Sequence, residues 1–369
     1  MSKKVSLFLC TLLVLFGCGS GDEGENNSVD SGPVDSAQST DSSQESDASF
    51  SADIGEPEPD SSKGIDVNIG GNQVDGIDSN VCTGTYLETF QGAVQFEDGA
   101  AAVGAKAQFC VVLAKNGSLQ CLQPADVGDD GNFQITVPSL SSCITSATAR
   151  VVMPPTYCSE DGECGGVACV PQRYADGGVC HTGYATMYCE AELEGQSSDL
   201  NVEAPYILHA LDIPQVLPPL GDEEEVRTVV FADGLEMDFK PFDIFASGGG
   251  YNAMASKHFE VDTPGFCHLD TAPVDFEGVY SFSPESNIIG QSTFPIRMPN
   301  RDNAAPGTEY DLYILGGLQC QLKDRSHVGE SEWKLFGKGV VNAEGTFIET
   351  PEGEGLPCLN WLAYRQSSE

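Results

Sequence analysis

The sequence predicts an all-β protein: disulfide-stapled antiparallel β-sandwich domains after a disordered acidic stalk. Three observations lead there. Beyond residue 80, apolar and polar side chains alternate with period 2 in short runs, the mark of half-buried strands. Asp-Gly and Asn-Gly pairs punctuate the runs, which is the turn chemistry of hairpins. The same stretch holds twelve cysteines, an even number without a C-x₂-C pair.

In chain order, Phe90, Val94 and Phe96 share one face of 87–97, and Thr89, Gln91, Gln95 and Glu97 the other. Asp98-Gly99 then turns the chain. Residues 105–114 (AKAQFCVVLA) read as a second strand, with Asn116-Gly117 as its hairpin turn. After Asp130-Gly131, the residues Phe133, Ile135 and Val137 alternate with Gln134 and Thr136. Residues 147–153 (ATARVVM) form another strand. The clearest alternation sets Ala185, Met187, Cys189, Ala191 and Leu193 against Thr186, Tyr188, Glu190 and Glu192. Residues 201–225, with Pro205, Pro214, Pro218 and Pro219 and an acidic run from Asp222, read as a connector. Beyond it, 228–239 is a hairpin with Leu235, Met237 and Phe239 inward. Strands follow near 275–283, 293–298, 309–316, 333–341 and 345–349, and 357–364 ends the fold. The turn before Phe347 echoes the one before Phe133 and points to a second sandwich of the same kind.

The charge sets the stalk apart from the body. The chain carries 56 acids against 17 Lys and Arg. Residues 19–80 hold 15 acids and one Lys, with Phe50 as the sole aromatic. Such a segment cannot bury enough apolar surface to offset its ordering entropy, so it reads as a disordered linker. Its 62 residues average about 40–45 Å end to end as a flexible coil. The body beyond it keeps a net charge of −27. A field of that sign repels nucleic acid and anionic lipid headgroups, which excludes them as partners.

The N-terminus opens with MSKK and continues with twelve uncharged residues, VSLFLCTLLVLF. That run is too short to span a bilayer, which takes about 20 residues, but it fits a signal-peptide core. It ends Leu15-Phe16-Gly17-Cys18, which resembles the bacterial lipobox: an aliphatic residue, a small residue, then Cys. The resemblance implies cleavage after residue 17, diacylglyceryl attachment and acylation at Cys18, and hence a bacterial lipoprotein anchored in the cell envelope. Several acyl chains make a stable anchor. Gly19 in place of Asp leans toward the outer membrane, and the Asp22-Glu23-Gly24-Glu25 run resembles acidic surface-export signals.

Removing Cys10 with the signal and Cys18 for the lipid leaves Cys82, Cys110, Cys121, Cys143, Cys158, Cys164, Cys169, Cys180, Cys189, Cys267, Cys320 and Cys358 as disulfide candidates. An exported chain with an even count reads as a disulfide framework. Nine of them lie in 82–189 and three in 267–358. Both counts are odd, so complete pairing requires at least one bond between the two regions.

The stretch GAVQFEDGAAAVGAKAQF followed by DVGDDGNFQITVP resembles the carboxypeptidase regulatory-like (transthyretin-like) β-sandwich over roughly 87–155, through Gly92, Val94, Gly104, Asp130, Gly131 and Phe133. The resemblance implies a non-catalytic module. Residues 156–184 carry four cysteines and little apolar content, and read as a disulfide-held insert.

A search for chemistry finds no H-E-x-x-H, no G-x-S-x-G elbow in the body, no Walker loop and no G-x-G-x-x-G. His258 and His268, with Glu260 nearby, are the best-placed metal candidates by spacing, yet no metal site is assigned. Asp126, Asp129 and Asp130 resemble a broken calcium loop: Gly128 stands where an acid or Asn is needed, and Val137 where Glu is needed. A looser Ca²⁺ site in the acidic turns is the one cofactor left open. Trp361 reads as core.

The expected organisation is a signal peptide (1–17), a linker (18–80), a sandwich (81–200, with insert 156–184), a connector (201–225) and a second β-rich region (226–369). The expected function is a lipid-anchored, non-enzymatic binding, adhesion or envelope-scaffold module. Its partners would be the membrane through its lipid and an envelope protein, cell-surface protein or glycan. A calcium-dependent adhesion module and a hydrolase built on a carboxylate pair are the alternatives.

Overall fold

A computed structural model describes residues 82–154, 156–158, 169–171, 178–180, 183–216, 225–240, 243–246, 253–288, 293–317 and 320–368. The signal peptide, Cys18, the linker and the pairing of Cys158, Cys164, Cys169 and Cys180 lie outside the described residues. All described residues belong to one compact unit, 70–369. Its described residues form β-strands, and the helical pieces among them are single 3₁₀ turns such as Ser139–Ser141 and Cys267–Leu269.

The N-terminal half is a sandwich. In one sheet the Cys143–Val152 strand runs antiparallel to Lys106–Leu113 on one side, and to Thr85–Tyr86 and Met187–Glu190 on the other. Leu119–Cys121 and Ala125–Asp126 form the edge beyond Lys106–Leu113. In the facing sheet Thr89–Phe96 pairs antiparallel with Asn132–Thr136 and parallel with Asp199–Asn201 and Tyr206–Leu208. Part of the 201–225 stretch is therefore woven into the sheets, since it supplies Tyr206–Leu208 and Gln215–Val216. The alternation read from the sequence sends Phe90, Val94, Phe109, Phe133 and Ile135 inward. The Phe90 and Phe109 rings stack with centroids 4.2 Å apart. At Gly131 the backbone takes φ of 80°, a left-handed conformation that glycine adopts without a Cβ penalty, so the turn ahead of Phe133 closes. The Cys82–Cys143 disulfide pins the start of the body to the first sheet, at the start of the Cys143–Val152 strand.

The C-terminal half is a single eleven-stranded sheet in which the strands are joined by antiparallel pairing alone. Its centre runs Ala253–Phe259, Gly278–Ile288, Cys358–Gln366, Glu309–Leu315 and Trp333–Val341. It curls on itself: the tip of the hairpin between Arg227–Val230 and Glu236–Phe239 reaches Ser256, whose Oγ donates to Asp233 Oδ2 at 3.1 Å. The curl encloses a core that includes Phe231, Met237, Phe239, Tyr280, Phe282 and Leu362. This half does not repeat the first sandwich. The turn at Gly345 resembles the one at Gly131, but a turn fixes only local chain reversal and leaves strand order free.

The two halves share a core. Along Cys358–Gln366, Leu362 and Tyr364 point into the curl, while Trp361 and Ala363 point out and pack against the sandwich. Trp361 is fully buried, and its Nε1 donates to the Thr186 carbonyl at 2.6 Å. The polar face of the 185–193 run is consequently not a solvent face at its centre. Thr186 and Tyr188 are as buried as Met187, because the curled sheet covers them. The bond demanded by the odd cysteine counts is Cys189–Cys267, which ties the halves together. Cys320–Cys358 closes the curl locally.

Because Trp361 fills the seam, Trp361→Ala is expected to cost about 3–5 kcal/mol. Urea unfolding followed by fluorescence and circular dichroism should show both halves lost in one earlier transition. Two separate transitions would contradict a shared core.

Candidate functional site

The seam carries the polar chemistry of the body. Strand register sets Gln108, Arg150 and Tyr188 side by side on the sandwich face that meets the curled sheet. Arg150 forms an ion pair with Glu285 across the seam, and its Nε donates to the Tyr188 hydroxyl at 3.2 Å. Tyr188 in turn donates to Glu285. Glu285 arrives from the Gly278–Ile288 strand, whose pairing with Cys358–Gln366 shifts register between Ser281 and Ser286. Such a bulge re-aims side chains out of the regular alternation, and Pro284, lacking an N–H, suits it.

The Arg150 and Glu285 side chains are only 9% and 11% exposed. Burial opposes the Arg150 charge, but Glu285 and Tyr188 outweigh it and hold the guanidinium above its usual pKa. Burial, reinforced by Glu285, pushes the Tyr188 phenol well above its ordinary range, so it stays a hydrogen-bond donor. Gly317 makes room for the group: a Cβ there would collide with the Glu285 carboxylate and the Tyr188 hydroxyl.

One row further along the same face stand Cys121, Cys110, Thr148 and Glu190. Cys110, Thr148 and Glu190, with Val112, Leu119 and Ser146, floor a cleft of about 550 Å³, roofed by Gly329 to Trp333 and by Thr271 and Pro273. Glu190, Glu330 and Glu332 all line it. Glu330 is the distinctive member. Burial, aided by the nearby Glu285 charge and only partly countered by Arg150, raises its pKa to about 7. The guanidinium that would hold it ionised is engaged by Glu285. Chemically the cleft favours a cationic group, or a proton, over an anion.

Glu330 Oε1 lies 4.0 Å from Cys110 Sγ. The ligand atoms of Cys110, Cys121 and Glu330 converge within 4.8 Å. The two sulfurs are joined in a disulfide, however, and thiolates are what a metal would need.

The residues singled out by spacing go elsewhere. His258 Nε2 is 3.0 Å from the Tyr364 hydroxyl, with Nδ1 4.0 Å from Glu260; burial lowers its pKa to about 4. His268 packs on Trp361 at 4.4 Å between centroids, inside the shared core, and burial lowers its pKa to about 3. Ten positions apart in sequence, the two rings do not meet at a common point with Glu260: the one converging ligand group among the described residues is another. The Asp126–Asp130 stretch is turn chemistry: Asp126 pairs with Lys106, and Asp130 accepts from the backbone and side-chain nitrogens of Asn132 at 3.0 and 2.7 Å. Sequence reasoning passed over Arg150, Glu285 and Glu330. The available signal was Arg150 itself, a charge inside the apolar run ATARVVM.

No family model and no curated protein matches the chain. Among solved structures, fervidolysin from Fervidobacterium pennivorans, a keratinolytic enzyme related to subtilisin, aligns with 76% of this chain and 33% of that one. The identity is 16% and the TM-score 0.18, too loose a superposition to carry an argument about activity. Among the described residues no helix is long and apolar enough to cross a membrane.

The raised pKa of Glu330 has a pH signature. Its folded value near 7 exceeds the unfolded value of about 4.5, so the folded state binds the extra proton between them. That contribution to stability is complete below about pH 4.5 and is lost as pH rises through 7. Glu330→Gln, which cannot ionise, is expected to gain on the order of 1–3 kcal/mol over the parent at pH 8 and little at pH 4.5. Denaturant midpoints at the two pH values check this.

Proposed function

We propose that this protein is a lipid-anchored extracytoplasmic lipoprotein whose body acts by binding in the envelope or at the cell surface, not by catalysis. The observation that carries the reading is the N-terminal sequence: an apolar signal core ending Leu15-Phe16-Gly17-Cys18, followed at once by a polar acidic run. The body suits that address. Its disulfides belong to an oxidising compartment, and a disulfide-held all-β scaffold presents a fixed surface at the end of a tether. Within it, the acidic cleft is the surface we assign to a partner, and its carboxylates select a cationic group such as an amine or guanidinium.

The hydrolase alternative draws on Glu330 beside Glu285, two carboxylates in different environments. Glu285, however, is bound by both Arg150 and Tyr188, so it is not free to act as base or nucleophile beside Glu330. The calcium-dependent alternative rests on the acidic turns as a group, since Asp130 accepts from both nitrogens of Asn132 within its own turn.

Fractionation of cells that carry the parent or Cys18→Ala tests the anchor. The parent should stay with membranes and incorporate labelled palmitate, and the variant should be soluble and unlabelled. A variant that remains membrane-bound would remove the basis of the assignment. Protease added to intact cells then reports the side: loss of the body places it outward, and survival until the outer membrane is opened places it in the periplasm.

A further inference from the structure

The four described disulfides differ in what they hold. Cys82–Cys143, Cys189–Cys267 and Cys320–Cys358 join residues 61, 78 and 38 apart. Cys110–Cys121 joins residues only 11 apart, on two strands that Asn116-Gly117 and the backbone ladder already hold together. Its short loop removes less entropy from the unfolded chain than the three longer loops do, so it is the weakest staple of the four. Its surroundings are also asymmetric. Cys110 is buried against the cleft, 4.0 Å from Glu330, whereas Cys121 is half-exposed on the edge strand Leu119–Cys121.

We propose that Cys110–Cys121 is an exchangeable disulfide, opened by a dithiol that attacks Cys121, with the Glu330 carboxyl as proton donor to the departing Cys110 sulfur. Exchange requires access to one sulfur and an easy departure of the other, and the geometry supplies both. The attacking thiolate reaches Cys121 Sγ from the exposed edge and forms a mixed disulfide. The Cys110–Cys121 bond breaks, and its electron pair stays on Cys110 Sγ. That thiolate, developing in a buried cleft, takes the proton from Glu330. The second thiol of the dithiol then displaces Cys121, so the protein pair is reduced to two thiols and the dithiol is oxidised to its disulfide. Glu330 regains a proton from solvent. A group that titrates near neutrality is well matched to this transfer. The three long-range bonds keep the body folded meanwhile.

The test uses the full oxidised chain with reduced glutathione, a monothiol whose mixed disulfide is trapped by acid quenching and alkylation at early times, before a second glutathione or Cys110 resolves it, and then mapped by mass spectrometry. The expected product carries glutathione on Cys121 and the alkyl group on Cys110, with Cys82–Cys143, Cys189–Cys267 and Cys320–Cys358 intact. Glutathione on Cys110, or opening of those three bonds as fast as this one, would overturn the proposal. The proton donor is tested by Glu330→Gln, with rates divided by the thiolate fraction of the reagent. The variant should be slower by at least about tenfold at pH 6, at the low side of what a positioned acid provides. It should match the parent at pH 9, where Glu330 is already ionised. Equal corrected rates at pH 6 would remove Glu330 from the mechanism. Glu330→Asp, which keeps a carboxyl, should recover part of the rate, and the site of attack is read in the unaltered chain whether or not either variant folds.

Discussion

The structure depends on two neighbouring strands, Gly278–Ile288 and Cys358–Gln366, that are buried on both of their faces along most of their length. Along Cys358–Gln366 the side chains alternate between two apolar environments, Leu362 and Tyr364 into the curl and Trp361 and Ala363 onto the sandwich. Neither half could expose its seam to water without leaving a large apolar patch uncovered. The sandwich face that carries Thr186 and Tyr188 is held down by Trp361, and Cys189–Cys267 fixes the distance. Compactness over 70–369 follows from that one shared layer.

Closing the seam forces charges into it, and their arrangement is what makes closure tolerable. A buried guanidinium is expensive unless it is paired and hydrogen-bonded. Arg150 meets Glu285, Tyr188 and Gln108, and Glu285 meets both Arg150 and Tyr188, so few of their polar atoms are left without partners. Such a network contributes little net stability compared with an apolar seam of the same shape. Glu330 sits just beyond the reach of this arrangement. It feels the Glu285 charge, and the guanidinium that would offset it is already committed. The reactive character of the cleft therefore follows from how the interface next to it was satisfied.

The acidity of the chain is divided in the same way. Among the described residues most carboxylates stand at the surface, exposed or half-exposed. The few drawn into the seam have a partner, as Glu285 does, or take up a proton near neutrality, as Glu330 does. The disulfides show a similar division between long-range bonds that hold the fold and a short cross-strand bond that opens onto the cleft.

The sequence by itself determined what depends on neighbours along the chain. Period-2 alternation placed the strands at 89–96, 106–113, 132–136 and 309–315 within a residue or two, because alternation across a strand is a local property. Asp130-Gly131 and Asn116-Gly117 marked true turns, because positive φ is a property of one residue. Cysteine parity required a bond between the halves, though not which one. Tertiary structure alone decided which faces meet. Nothing local distinguishes Tyr188 on a solvent face from Tyr188 under a second sheet, nor tells that a bulge turns Glu285 toward Arg150 from 135 residues away. Equally, nothing local keeps His258 and His268 apart. Residues remote in sequence become a site only through strand order and packing, and so Arg150, Glu285 and Glu330 became legible only once the two halves were seen together.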